Sequence, residues 1–220
     1  MKWLYLVAGI AFFVKMLAIA NPVFTGSDIP IIETVVAETG VPNAVSGIIF
    51  RNRLYDTIFE VVVFTIAIMG AKFLLSDEQP STTVRQFSDR PSIILARLGA
   101  TISALVAIEL ALRGHLSPGG GFAAGVAGGT AIGLIAITSP SELMEDIYQR
   151  WRASMWEKIS VLVFIVLAIL TLVGIELPYG ELGTFISGGT IPLLNILVAF
   201  KVALGSWAAI LVFIRYRGLL

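Results

Sequence analysis

Four ionisable residues, Lys15, Glu60, Glu109 and Lys201, stand within stretches otherwise apolar enough to cross a membrane. On insertion scales a charge at that depth costs about 2.5–3.5 kcal/mol, so each is expected to have a partner or a task. Asp56 precedes Glu60 by four residues, one helical turn, which points both carboxylates the same way. Two like charges that close favour holding one proton between them, as a proton relay requires. The structural alternative is that Asp56 caps the helix start and Glu60 pairs with a lysine. Lys201 follows Asn195 by six residues among apolar and small neighbours (Val202, Ala203, Gly205). It either lines a hydrated path, where a lysine can give up its proton, or serves as the buried partner of Glu60 or Glu109. Glu109 and Arg113, four apart with the acid first, read as an ion pair anchoring a helix end.

The stretch from Gly114 to Phe122, with His115 and then Pro118-Gly119-Gly120-Gly121, is the most unusual in the chain. Pro118 stops a helix, and the glycines permit positive φ and close approach of neighbouring backbone. Irregular backbone at membrane depth is tolerated only where it is buried in protein or lines water. His115 titrates near physiological pH and is a candidate for passing protons; a hydrogen-bonded structural histidine is the alternative. The run lacks the lysine and flanking strand of a phosphate loop, which excludes nucleotide binding of that kind.

These residues need membrane helices to position them. The 220 residues are 57% hydrophobic and 14% charged, and the mean hydropathy is +0.91. That leaves too little charge for a wetted surface, and it suits a protein whose exterior faces lipid. Fifteen basic and fifteen acidic residues cancel, so no global field attracts nucleic acid. The chain has no cysteine and one histidine, which rules out disulfides, iron–sulfur clusters and thiolate metal sites on it. No cofactor is expected here, and any redox chemistry served belongs to other chains.

Spanning takes roughly 20 apolar residues. Six segments qualify, giving an all-α integral membrane protein: about Trp3–Ala20, Tyr55–Leu75, Pro91–Leu112, Phe122–Thr138, Lys158–Ile175 and Ile191–Ile214. The first superficially resembles a signal peptide, but it carries Lys15 and lacks a small-x-small cleavage site, so it reads as a retained anchor. The fourth is short and rich in glycine (Gly125, Gly128, Gly129, Gly133), which suits close helix packing inside the bundle. Ile31–Ile49 is expected as a helix on the membrane surface, and Ser76–Arg90 as a linker between modules. Ser139–Glu157 reads as a loop with a capped interfacial helix start. Six spans put Lys2, Lys72, Arg85, Arg90, Arg97, Arg150, Arg152, Lys158, Arg215 and Arg217 on one side, against Arg51, Arg53 and Arg113 on the other. The positive-inside rule then makes both termini cytoplasmic. Asp28, Glu33, Glu38, Asp56, Glu60, Glu109, Glu176 and Glu181 fall at or near the outer side. They either concentrate cations there or merely keep the loops soluble.

His115 with Pro118 to Phe122, then Asn195 followed by Lys201-Val202, resembles the B subunit of Mrp-type multisubunit sodium/proton antiporters. Pro42-Asn43-Ala44-Val45, Arg53 and the Asp56-Thr57-x-x-Glu60 run resemble the C-terminal module of the A subunit of those systems, which is a separate small subunit in the related archaeal hydrogenase and sulfur-reducing complexes. The likeness covers about residues 40–75 and 91–215. It departs at Phe59, where the family often has glycine, and at Ala123-Ala124. The resemblance implies two joined modules, 1–78 and 91–220, with 79–90 as the link. It implies a non-redox subunit of the plasma membrane that sits beside other membrane subunits, in an antiporter or a respiratory complex containing one. It further implies help in forming a Na+ or H+ path, with Glu60 on that path and His115 and Lys201 as polar neighbours. A purely structural scaffold is the alternative. The absence of a visible inverted repeat in six short helices speaks against a stand-alone transporter.

Overall fold

The computed structural model describes Ile10, Val14 and residues 31–81, 84 and 86–218. The expected first span and Lys15 therefore lie outside the described residues, apart from Ile10 and Val14, which are helical and exposed. The chain divides into two units, Met1–Pro30 and Ile31–Leu220, and the helices and sites described below all belong to the second.

The described residues are helical, with no strand among them: α1 (Ile31–Thr39), α2 (Ala44–Gly47) continued by a π-helical turn (Ile48–Asn52), α3 (Leu54–Leu75), α4 (Arg90–Arg113), α5 (Gly121–Ala136), α6 (Ser141–Arg150), α7 (Ala153–Leu172) and α8 (Ile191–Arg217). Four of them, α3, α4, α7 and α8, are long and apolar enough to cross a membrane, and α5 is a shorter apolar helix. These are the second to sixth expected spans. Helix α8 is central, packing on α3, α4, α5 and α7.

Sequence signals explain several boundaries. Asp89 accepts a hydrogen bond from the Ser92 amide (3.0 Å) and Pro91 occupies the first turn of α4, where a missing N–H costs nothing. Helix α8 likewise opens with a proline and ends at Gly218, with φ +71°. Within the helices Thr65, Thr101, Thr130 and Thr171 donate to the carbonyl four residues back, so no hydroxyl among these is left bare to lipid.

Two expectations need correction. The helix expected over Ile31–Ile49 is broken at Gly40 (φ +67°), and a new helix starts after Asn43. The helix start expected within Ser139–Glu157 is present, with α6 opening after Pro140, but it has no side-chain cap, and α7 already runs from Ala153 where loop was expected. Glu157 is therefore inside a membrane-length helix that begins well before the apolar run does. The Glu157-Lys158 pair hides that start, because hydropathy registers charge and not its burial.

Two apolar clusters hold the bundle. One joins Phe50, Leu54, Val61, Phe164, Leu194, Val198 and Val202. The other joins Ile68, Met144, Tyr148, Trp207, Ala208 and Ile214. Phe64 packs against both. Glycines bring α5 onto α8. A Cβ at Gly125 would lie 2.4 Å from Val202 Cβ and 2.8 Å from the Ala199 carbonyl, and one at Gly129 would lie 2.6 Å from Ser206 Cβ. The small-residue stripe thus places α5 against α8 as its composition predicts.

Candidate functional site

At the junction of the two clusters lies a buried ion pair. Lys201 is 0% and Glu157 6% exposed, and Lys201 Nζ donates to Glu157 Oε1 at 2.5 Å. The ammonium also sits 4.9 Å from the centre of the Phe64 ring, a cation–π contact in a dry setting. Its path is cleared by Gly205, where a Cβ would come within 3.2 Å of Nζ. The side chain reaches one turn along α8 toward the Arg217 end. Glu157 stands on the second turn of α7, and the Ser160 hydroxyl donates to its carbonyl at 2.7 Å. The expectation that Lys201 pairs with Glu60 or Glu109 is therefore corrected: its partner is Glu157, 44 residues earlier in the chain. Two charges taken from water together are tolerated where each alone would not be.

Glu109 pairs with Arg113 at 3.3 Å, as its spacing implies, with both side chains more than half exposed. Asp56 does not cap α3. It holds Arg53 at 2.6 Å instead, one turn back. Glu60 makes no hydrogen bond or ion pair among the described residues; Arg53 is the cation whose field reaches it. It lies exposed on α3, one turn before Phe64 and next to exposed Phe59. Asp56, Glu60 and Lys201 are thus not joined into one bonded chain.

The glycine motif and the helix end before it are stapled by three side chains, Asn43 and Ser46 at the start of α2 and Asn195 on α8. The Asn43 amide donates to the carbonyls of Gly114 (2.7 Å) and Ser117 (2.8 Å), and the Ser46 hydroxyl to Gly114 (2.6 Å). The Asn195 amide donates to the carbonyls of Leu110 (3.1 Å) and Ala111 (2.7 Å). These are last-turn carbonyls of α4, which have no partner within the helix, so Asn195 acts as a cap delivered from α8. Gly119 and Gly120 adopt φ of +145° and +136°, open to glycine but strained for other residues. A Cβ at Gly121 would lie 2.5 Å from the Asn195 carbonyl. Pro118 and Gly119 form the exposed tip of this irregular segment, which ends where α5 begins at Gly121.

His115 is fully buried, with Nε2 3.0 Å from the Phe185 carbonyl. A carbonyl only accepts, so Nε2 carries the proton, and Nδ1 is left with no partner among the described residues. Burial lowers its pKa, against the opposing pull of the Phe185 and Thr184 carbonyls, which keeps the ring neutral at pH 7. Nearby, Arg51 pairs with Glu176, which accepts a hydrogen bond from Tyr179 at 2.6 Å. Arg51 lies 5.6 Å from the Tyr179 ring. Sequence reasoning misses Glu157, the stapling role of the motif residue Asn43 and the Arg51–Glu176 link. The last joins residues 125 positions apart with no local pattern to announce it.

Four membrane-length helices, three of which (α3, α7 and α8) meet at a buried ion pair, with a fifth helix seated on glycines, define a polytopic membrane protein. Residues 91–208 match the family described as a domain related to the MnhB subunit of the Na+/H+ antiporter, and the chain belongs to that family. The fold is that of a chain of the membrane-bound sulfane sulfur reductase, an archaeal respiratory membrane complex, at 22% identity and a TM-score of 0.71, covering 97% of each chain. It is also similar to a chain of the Mrp complex from Dietzia sp. DQ12-45-1b, at 19% identity and a TM-score of 0.63, covering 95% of this chain and 25% of that one. No curated protein matches it by sequence.

Proposed function

We propose that this chain is a non-redox membrane subunit of a multisubunit cation/proton antiporter, or of a respiratory complex containing an antiporter module, and that it helps form the Na+ or H+ path beside other membrane subunits. The observation that carries this is Glu60, a carboxylate on a membrane-length helix, exposed and without a bonded countercharge among the described residues. Lipid would expel such a group, so water, a proton, a cation or a neighbouring subunit must meet it there. The Lys201–Glu157 pair one turn deeper supplies polarity across the bundle, and His115 and Asn195 shape the outer loop. Na+ and H+ are cargo in this reading, and no cofactor resides on the chain. Residues 1–78 act as an A-subunit-like module joined through 79–90 to the B-like module 91–220, a reading supported by the family match beginning at Pro91. The excess of bases at the Arg217 end supports a plasma-membrane topology with cytoplasmic termini.

The test is Glu60→Gln in the assembled complex, read in vesicles. Sodium-coupled proton transport is expected to be lost while full-size complex is recovered; unchanged transport would refute the reading. A structural scaffold is favoured by the bonds that occupy Asn195 and Lys201. It predicts less complex on a native gel, with turnover of the remaining complex unaltered.

A further inference from the structure

At the end of the bundle that carries Arg217, a cavity of about 230 Å³ opens between the last turns of α3 and α8 and the surface helix α6. Its rim bears Lys72 from α3, Arg215 from α8, and Glu145 and Gln149 from α6. Its wall is Leu211 and Val212, one turn deeper on α8 than Arg215. Lys72 is half-buried and has no hydrogen bond or ion pair among the described residues. Arg215 meets Glu145 at 3.8 Å with both side chains more than half exposed, which leaves most guanidinium donors open. Two cations against one carboxylate make the rim net positive. Helix C-termini attract those cations, and that accounts for their presence but not for a cavity between them.

We propose that this cavity seats the phosphate headgroup of an anionic membrane phospholipid. Lys72 and Arg215 grip the phosphate, and Leu211 and Val212 lie along the first acyl carbons. The vertical order of the lining selects a lipid over a free anion. Charged and amide groups stand at the helix ends, where headgroups lie, and the apolar wall continues straight down a membrane-spanning helix. An inorganic phosphate would use only the upper half. A basic residue at the surface is worth about 1 kcal/mol toward anionic lipid, so each cation contributes about fivefold in affinity.

The test is native mass spectrometry of the whole complex, purified in detergent and exposed to phosphatidylglycerol, phosphatidylcholine or inorganic phosphate. Wild type is expected to retain phosphatidylglycerol over phosphatidylcholine. Lys72→Gln should weaken that retention about fivefold, Arg215→Gln should do the same, and Lys72→Arg should keep it. Equal retention of the two lipids by wild type, or phosphatidylglycerol binding unaffected by both Gln variants, overturns the proposal. Displacement of the lipid by millimolar phosphate would reassign the cavity to a free anion and overturn it as well. Because the readout is lipid retention, its outcome is separate from the transport result for Glu60.

Discussion

Removing one member of the buried ion pair gives the sharpest test of how this bundle holds a charge. Lys201 lies roughly 15 Å from the start of a helix roughly 40 Å long, at 1.5 Å per residue, so water at neither end reaches it easily. Lys201→Met keeps the length and volume of the stem but strands Glu157, which is 6% exposed and has no second cation bonded to it among the described residues. Stranding a buried charge costs about 3–5 kcal/mol, which is two orders of magnitude or more in the folded fraction. Glu157→Leu alone strands the ammonium and should cost a similar amount, softened by the Phe64 ring. The double variant Lys201→Met/Glu157→Leu removes both charges together and should recover most of the loss or exceed wild type, because an apolar pair incurs no desolvation. The assays are the thermal midpoint of the purified complex and its recovery on a native gel, with an expected non-additivity of at least ~2 kcal/mol. If the double variant is as damaged as the two singles added together, the charges are not compensating each other. Transport by the recovered double variant then assigns Lys201: retained transport makes the pair a packing device, and lost transport in an intact complex places it on the path.

Single contacts give the other expectations. Gly125→Ala should destabilise by about 1–3 kcal/mol and reduce complex recovery, since its Cβ would meet the Ala199 carbonyl at 2.8 Å. Gly70→Ala, where nothing lies within 4 Å, should instead stabilise by about 0.5–1 kcal/mol, and thermal midpoints of the two variants check the opposite signs. Asn195→Ala, which strips the caps from Leu110 and Ala111, should lower stability by about 1–2 kcal/mol in the same assay, with Asn195→Asp no better because carbonyls need a donor. His115 is held neutral by burial, so the unfolded chain binds its proton first as pH falls. Its contribution is present above the unfolded value near 6.5 and shrinks as the pH falls below it, and His115→Gln should flatten the decline in thermal midpoint below that value.

The spans are legible in the sequence because lipid imposes a length and an apolarity that few other structures share. Their ends are less so, and α7 shows why. The adjacent charges Glu157 and Lys158 put the start of the span at Lys158 in a hydropathy reading, yet the helix already includes Glu157, which turns inward to Lys201 while Lys158 turns outward. The Glu109–Arg113 pair can be read from spacing because the two are one-turn neighbours on one helix. The glycine stripe of α5 announces close packing correctly, since only a missing Cβ lets two backbones approach.

By itself the sequence determined that this is a membrane-embedded helical protein without cysteine chemistry, that four of its charges are costly, and that the glycine loop must be buried in protein or line water. These follow from solvent, chain geometry and residue type, which are local properties. Only the tertiary structure decided which costly charges are compensated. Lys201 found Glu157 across two helices, Asn43 and Asn195 found the carbonyls of the α4 end, and Glu60 was left facing outward. Such pairings depend on how helices rotate against one another, and that rotation is set by packing across the whole bundle, which no window along the chain contains.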